Sequence, residues 1–516
     1  MKPNEISVPK EKLVFASSEG RLHDKELVTK PISYFRDAWN RFKKNKASIA
    51  AAIVIAILGL YAIIAPIVSP YSVSYKDPYY VFTAPKIFGG NRNKSGNEAT
   101  FLSDYAISVE TKRDVIVDGK YESYVTEDAY KKKVKMYDYK IDTYFSVGVV
   151  YMNLTVDQYQ AIQAYQDAND VQIIYPWTDM NKNKVQYGEI PPQVVTEGNI
   201  WYQLKMSNGK PVADVTYDRE GKPVYTDIYA PYSDKDGYTS KMRIEGEGNY
   251  QYSYATPVQN GNAYKVRIDY YNYYRYIHAD ERIDKPFFLF GTTNSGQDIF
   301  TCLASGARFS FILAITVASV NMFVGAIYGA IEGYYGGKLD IIMERIVEIL
   351  NAVPFMIVIT LLKYHMEGTS HVLILFIAFF LTGWIGMAGR TRMQFYRFKN
   401  QEYVLAARTL GAKDPRIMFK HIFPNSLGTL ITSSVLVIPG MIFSETSLSY
   451  LGIINLNSGS LTSVGTLLAN GQPYLVTYPH IILFPSIYIC LLMLSFNLFG
   501  NGLRDAFNPS LRGAED

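Results

Sequence analysis

Gln401-Glu402-Tyr403-Val404-Leu405-Ala406-Ala407-Arg408-Thr409-Leu410-Gly411-Ala412-Lys413-Asp414-Pro415-Arg416-Ile417-Met418-Phe419-Lys420-His421-Ile422-Phe423-Pro424-Asn425 is the stretch on which the reading of this chain turns. Residues 402–410 are helix formers, and the small Ala406 and Ala407 allow a partner to approach closely. Gly411 suits the left-handed position that closes a helix. Pro415 suits the first turn of a second helix, with Asp414 as its N-cap. Pro424 is expected to end that second helix. A short, basic, small-residue helix of this kind is suited to lying in a groove on another protein.

On both sides of this stretch lie apolar runs. Candidate membrane spans cover 47–68, 309–331, 346–362, 372–388, 427–443 and 481–499. The first is about the 20 residues needed to cross ~30 Å of hydrocarbon. It starts too deep and runs too long for a secretory signal peptide. The 346–362 run is the weakest, because it holds Glu348. Six spans put both termini on one side. Basic residues choose that side. Residues 36–46 hold five basic residues and one acid, and residues 390–425 hold eight and two. With six spans these two segments share a face, which is then cytoplasmic. Ahead of the first span, Trp39 and Phe42 interleave with Arg41, Lys43 and Lys44, as expected of a helix at the membrane surface.

The resulting organisation is a cytoplasmic tail with an interfacial helix (1–46), a first membrane helix (47–69), an extracytoplasmic insert (70–290), a permease-like membrane unit (291–500) carrying the loop 390–426, and a cytoplasmic tail (501–516). The insert has 26 basic and 29 acidic residues, a near balance that does not conflict with the orientation, since long domains cross largely regardless of charge. It holds 31 of the 43 tyrosines. These suit either a recognition surface or the filling of strands. Asp118-Gly119 is expected at a hairpin turn, and Asn260-Gly261 precedes the alternating Tyr264, Val266, Ile268 and Tyr270. Thr155-Val156-Asp157-Gln158 reads as a capping box opening a helix. A compact α+β domain follows. Asp179, Asn181 and Asn183 have the spacing of a calcium loop, but Lys184 and Ile190 stand where glycine and glutamate are needed.

The loop resembles the EAA loop of ABC importer permeases. Glu402, Ala406, Ala407, Gly411, Ile417, His421, Pro424 and Asn425 fit that pattern in register. Three other stretches are similar to the oligopeptide and dipeptide branch of the peptide/nickel importers: Gly291-Thr292-Thr293-Asn294-Ser295-Gly296-Gln297-Asp298, Ser447-Leu448-Ser449-Tyr450-Leu451-Gly452, and Phe496-Asn497-Leu498-Phe499-Gly500-Asn501-Gly502-Leu503-Arg504-Asp505. The resemblance covers about 31–80 and 285–513. It implies an α-helical integral membrane protein of the bacterial plasma membrane, with six transmembrane helices of the type I ABC importer permease fold and a large α+β insert between the first two. It implies a permease subunit for oligopeptide import. The implied partners are a homologous permease, two ATP-binding subunits that the loop docks, an extracytoplasmic peptide-binding (lipo)protein and the lipid bilayer. Thr293 and Gln297 replace the family's usual Asp and Arg, so an ion pair is absent there. Asn501 and Val464 are further departures.

The charge of +4 gives no reason to expect a nucleic-acid partner. The Gly-Lys pairs beginning at Gly119, Gly209, Gly221 and Gly337 are never followed by Ser or Thr, so no phosphate-binding loop is present. ATP and Mg are expected on partner chains, with no cofactor, metal site or catalytic residue in this one. Cys302 and Cys490 fit neither a disulfide framework nor a metal cluster. Two other functions remain open on the residues: the same transporter type carrying nickel, other metal chelates or glutathione, and a membrane-anchored sensor with an extracytoplasmic ligand-binding domain.

Overall fold

The computed structural model describes residues 34–111, 113–169, 171–175, 255–258, 263–279, 283, 285–456 and 462–507, with short strands between 202 and 231. An amphipathic helix α1 (Tyr34–Lys44) precedes α2 (Lys46–Val68). Phe42 is buried against Phe499, with ring centroids 5.4 Å apart, while Trp39 stacks on Phe42 and keeps its other face exposed. Asn45 caps α2 by accepting from the Ser48 amide at 3.2 Å.

Among the described residues, five helices are long and apolar enough to cross a membrane, and the count is six if a pair bent at a short break is taken as one span. Beyond α2 these begin with α6 (Ile299–Tyr335), capped by Asp298. Next come the bent pair α7 (Gly337–Asn351) and α8 (Phe355–His365), and then α9 (His371–Gly383) continuing into α10 (Ile385–Phe398). Last come α13 (Phe423–Tyr450) and, after the short α14 (Val464–Gly471), α15 (His480–Phe507). The chain is multi-pass. The expected straight span over 346–362 is corrected: α7 and α8 meet at 72°. Pro354 lacks an amide hydrogen and disfavours a helical Val353, so the helix stops there. α6 begins ten residues before the expected 309 and extends 37 residues, about 55 Å at 1.5 Å per residue. It packs on α10 along a glycine seam; a Cβ on Gly329 would stand 2.1 Å from the Ala388 carbonyl.

Between α2 and α6 lies an α+β insert. β1 (Asn91–Asn97), β2 (Ile116–Glu127) and β3 (Lys133–Asp142) form an antiparallel sheet in the order β1-β3-β2. β4 (Val149–Thr155), β6 (Ala255–Val258) and β7 (Ala263–Asp269) form a second, in the order β6-β7-β4, with β5 (Ile174–Tyr175) also on β7. Helices α3 (Glu98–Thr111), α4 (Val156–Asn169) and α5 (Tyr270–Ile277) complete it. The capping box forms as expected: Thr155 and Gln158 exchange side chain–amide bonds of 3.0 and 3.2 Å. Asp118-Gly119 makes no hairpin turn. It falls in a bulge within β2, where the register slips between Ile116 and Tyr121. The turn sits instead at residues 128–132, where the Asp128 carboxylate accepts from the amides of Tyr130 and Lys132. Asn260-Gly261 and the 179–190 segment lie outside the described residues.

Many of the tyrosines are core. Tyr105, Tyr137 and Tyr139 pack with Phe101, Ile141 and Ile268 in one cluster, and Tyr71, Tyr80, Tyr144, Tyr270 and Tyr274 pack around Phe288 in another. The second cluster ties the insert to the membrane unit. Asp77, fully buried, accepts from the amides of Tyr79 and Tyr80 and from the hydroxyls of Tyr75 and Tyr270. Burial, and next the charge of Asp77, push the Tyr270 hydroxyl well above its ordinary pKa, so it stays a donor.

The two ends of the insert also join by backbone bonds. Asp77 and Phe82 donate to Gly296 and Thr293, Thr292 donates to Thr83, and Lys86 and Ile87 donate to Phe288 and Leu289, all within 3.2 Å. Gly296 is needed in this ladder: its φ is +72°, and a Cβ would stand 1.9 Å from the Asp77 carbonyl. Where the family's ion pair is absent, neutral bonds stand in. The Gln297 side chain donates to the Val73 carbonyl at 2.8 Å, and the Thr293 hydroxyl accepts from the Gln297 amide at 3.1 Å.

Asp77→Ala removes four acceptor contacts at this junction and is expected to cost about 3 kcal/mol locally. Limited proteolysis of the purified protein should then cut within 70–90 at least tenfold faster, with Asp77→Asn intermediate; equal cleavage rates for all three would contradict the assignment.

Candidate functional site

Residues 401–425 fold at the far end of α6 from the insert. Helix α11 (Glu402–Thr409) closes in a Schellman motif: the Gly411 amide donates to the Arg408 carbonyl and the Ala412 amide to the Ala407 carbonyl, each at 3.0 Å. Gly411 has a φ of +80°. Its expected left-handed role is met. No atom lies within 4 Å of where its Cβ would be, so a side chain there meets strain but no clash with its own chain.

Two expectations are corrected. Asp414 is the first residue of α12 (Asp414–Arg416), and Lys413 holds the cap position. The Asp414 carboxylate accepts instead from the Tyr334 hydroxyl at 2.6 Å, tying the loop to α6. Pro424 ends no helix. A π-helical segment (Ile417–Ile422) carries α12 into α13, and Pro424 sits in the first turn of α13. Wider π turns leave room for a ring that cannot donate.

The eight motif residues divide by environment. Ile417 is buried with Val404, Met418 and Ile422 against Tyr334 and Phe395, and this small core fixes the loop to α6 and α10. Asn425 donates to the Tyr403 hydroxyl at 3.3 Å and to the His421 carbonyl at 2.8 Å, joining α11 to the start of α13. Ala407 is half-buried and supplies the carbonyl of the helix closure. Glu402, Ala406, Gly411 and Pro424 are exposed. Around them stand exposed apolar side chains: Leu410 (88% exposed), Phe419, Leu405 and Tyr403. A ridge of apolar tips on a rigid base has the character of an interaction surface.

Sequence reading missed what holds this end together. The Arg392 guanidinium on α10 makes two bonds to Asp340 of α7, at 2.6 and 3.0 Å. It also lies 3.0 Å from Glu344 and 3.3 Å from the buried Glu332 of α6. Tyr396 donates to Asp340 at 2.6 Å, and Lys399 donates to the Gly333 carbonyl at 3.0 Å. Asp340 and Glu344, one helical turn apart beside an apolar run, were the available signal. Removing Arg392 leaves three carboxylates facing one another. Arg392→Ala is expected to destabilise this end by about 3–5 kcal/mol, with Arg392→Lys recovering only part for want of the planar fork. The melting temperature in detergent checks this; an unshifted value for Arg392→Ala would contradict it.

The family described as "Binding-protein-dependent transport system inner membrane component" matches residues 321–513. That described as "N-terminal TM domain of oligopeptide transport permease C" matches residues 33–85. The interval 86–320, with the insert, lies between the two. The oligopeptide transport system permease protein OppC of Bacillus subtilis is 43% identical over 236 residues, 46% of this chain and 76% of that protein. The dipeptide transport system permease protein DppC of the same organism is 39% identical over 224 residues, 43% of this chain and 69% of its own length. OppC of Escherichia coli is 37% identical over 223 residues, 43% of this chain and 72% of that protein. A solved chain of the MetNI methionine ABC transporter in an inward-facing conformation covers 40% of this chain and 96% of its own, at 14% identity and a TM-score of 0.31. The matched segments bracket the insert and include the loop, and on them the chain belongs to the binding-protein-dependent transport system inner membrane component family, in its oligopeptide and dipeptide permease branch.

Proposed function

We propose that this chain forms, with a homologous permease, the path by which an ATP-driven importer carries oligopeptides inward, and that residues 401–425 couple the path to two ATP-binding subunits. The observation that carries this reading is the loop itself: an eight-residue helix, closed at Gly411, fixed from below by Val404 and Ile417, and presenting exposed Leu405, Leu410 and Phe419. The names of the relatives, oligopeptide and dipeptide permeases, favour peptides over metal chelates as cargo. The basic bias of 36–46 and 390–425 supports a cytoplasmic loop and cytoplasmic termini, with 70–290 outside. ATP and Mg belong to the partner subunits, and an extracytoplasmic binding protein delivers cargo. Movement of α11 is passed to α6 and α10 through the bonds of Tyr334 and the core around Phe395.

Uptake of a labelled pentapeptide in cells lacking the gene, restored as wild type or as Gly411→Arg, tests the coupling. Rescue is expected from wild type alone, because arginine strains the φ of +80° and projects into the space a docked subunit fills. Normal uptake by a stably expressed Gly411→Arg protein would remove the docking role. The insert is proposed as the platform on which the binding protein docks. Deleting 88–282 keeps the paired ends; binding-protein association should fall at least tenfold while the ATP-binding subunits still co-purify. Unchanged association would count against the platform.

A further inference from the structure

At the loop end, a cavity of about 470 Å³ lies between α10, α13 and α15. Arg390 and Arg397 enter it from one face of α10, seven residues apart, and Arg504 enters from α15; Thr429 and Ser433 of α13 line the facing wall. None of the described residues that line it is a carboxylate. The contrast with Arg392 is direct. That residue, on another face of the same helix, is held by three carboxylates. Helix α10 therefore carries one neutralised arginine and two that face a cavity without counter-charge.

From the cavity a stripe runs along α13: Thr429, Ser433, Leu436, Gly440, Ser444 and Ser447, all exposed or half-buried. Successive spacings of three and four residues keep it on one face. Gly440 and Ser444 line a second cavity of about 440 Å³ higher on the helix. The free face of α2 differs, presenting Ile53, Ile57, Leu60 and Ile64. Hydrocarbon suits the α2 face; a small, hydroxyl-bearing stripe suits water and a passing polar solute.

We infer that Arg390, Arg397 and Arg504 form an anion-receiving site at the inner mouth of the passage, which takes an acidic side chain of the cargo. The inference rests on the peptide-import reading above and adds to it a place where charge on the cargo is felt. Guanidinium forks match carboxylates in shape. Exposed to water, they hold an anion weakly enough to release it.

The test uses the complete transporter in inside-out vesicles. In a Cys490→Ser background, Thr429→Cys is reacted with methanethiosulfonates carrying a sulfonate or a trimethylammonium group. The rate ratio of anionic to cationic reagent should fall roughly tenfold when Arg390, Arg397 and Arg504 are changed to Gln, and hold within about twofold for the Lys replacements, which keep the charge. An unchanged ratio overturns the site. Suppression of the anionic reagent by phosphatidylglycerol, relieved in phosphatidylcholine, gives the site to a lipid headgroup and also overturns it. In proteoliposomes, uptake of a pentapeptide containing glutamate should fall several-fold more than that of its glutamine counterpart in the Gln variant. An equal fall for both peptides overturns the cargo role. If the wild type takes up neither peptide, the import reading fails with it, and the thiol reaction still decides whether the arginines draw anions.

Discussion

Hydrocarbon offers no partner to a peptide group, so every backbone amide and carbonyl within the bilayer must be bonded by its own segment or a covered neighbour. That constraint shapes the molecule. Its apolar runs are helices, and its sheets lie beyond the helix ends, in the insert. The departures from regular helix are placed with care: the bend at Pro354 falls between two short helices, and the π segment stands at the entry to α13, where Ile417, Met418 and Ile422 are covered by Tyr334 and Phe395.

The same constraint explains the charge arrangement at the loop end. A guanidinium at the edge of the hydrocarbon is stable when paired, and Arg392 gathers carboxylates from α6 and α7. The result is a stiff triangle of helices. On it stands the loop, whose buried members hold position and whose exposed members are free to touch something else. α6 carries Asp298 of the insert junction at its start and Tyr334 of the loop contact near its end, so one continuous rod joins both regions.

The membrane helices were legible because a span is a long, one-dimensional signal. Gly411 was legible because only one residue type readily takes its φ. The capping box at Thr155 was legible because both partners lie within four residues. The failures are also physical. Asp118-Gly119 has the chemistry of a tight turn and of a bulge alike, and pairing with β3 decides between them. Pro424 has the look of a helix terminator, and a local widening of the helix removes its clash. The bend between α7 and α8 was hidden because the apolar run is unbroken by charge after Glu348. Arg392 was missed because its carboxylates lie 48 to 60 positions away along the chain, and no local pattern announces a contact at that distance.

The backbone ladder between 77–87 and 288–296 means that the permease unit meets the insert as two adjoining strands of chain, a few ångströms apart. For the membrane helices, the roughly 200 intervening residues amount to a closed loop whose ends are already tied. Loop-closure entropy grows only with the logarithm of length, so about 200 residues in place of about 5 would add roughly 3 kcal/mol even for an unfolded loop. The segment between α2 and α6 is then a socket: it can hold a large domain or a small one while the helices that bracket it keep the same geometry.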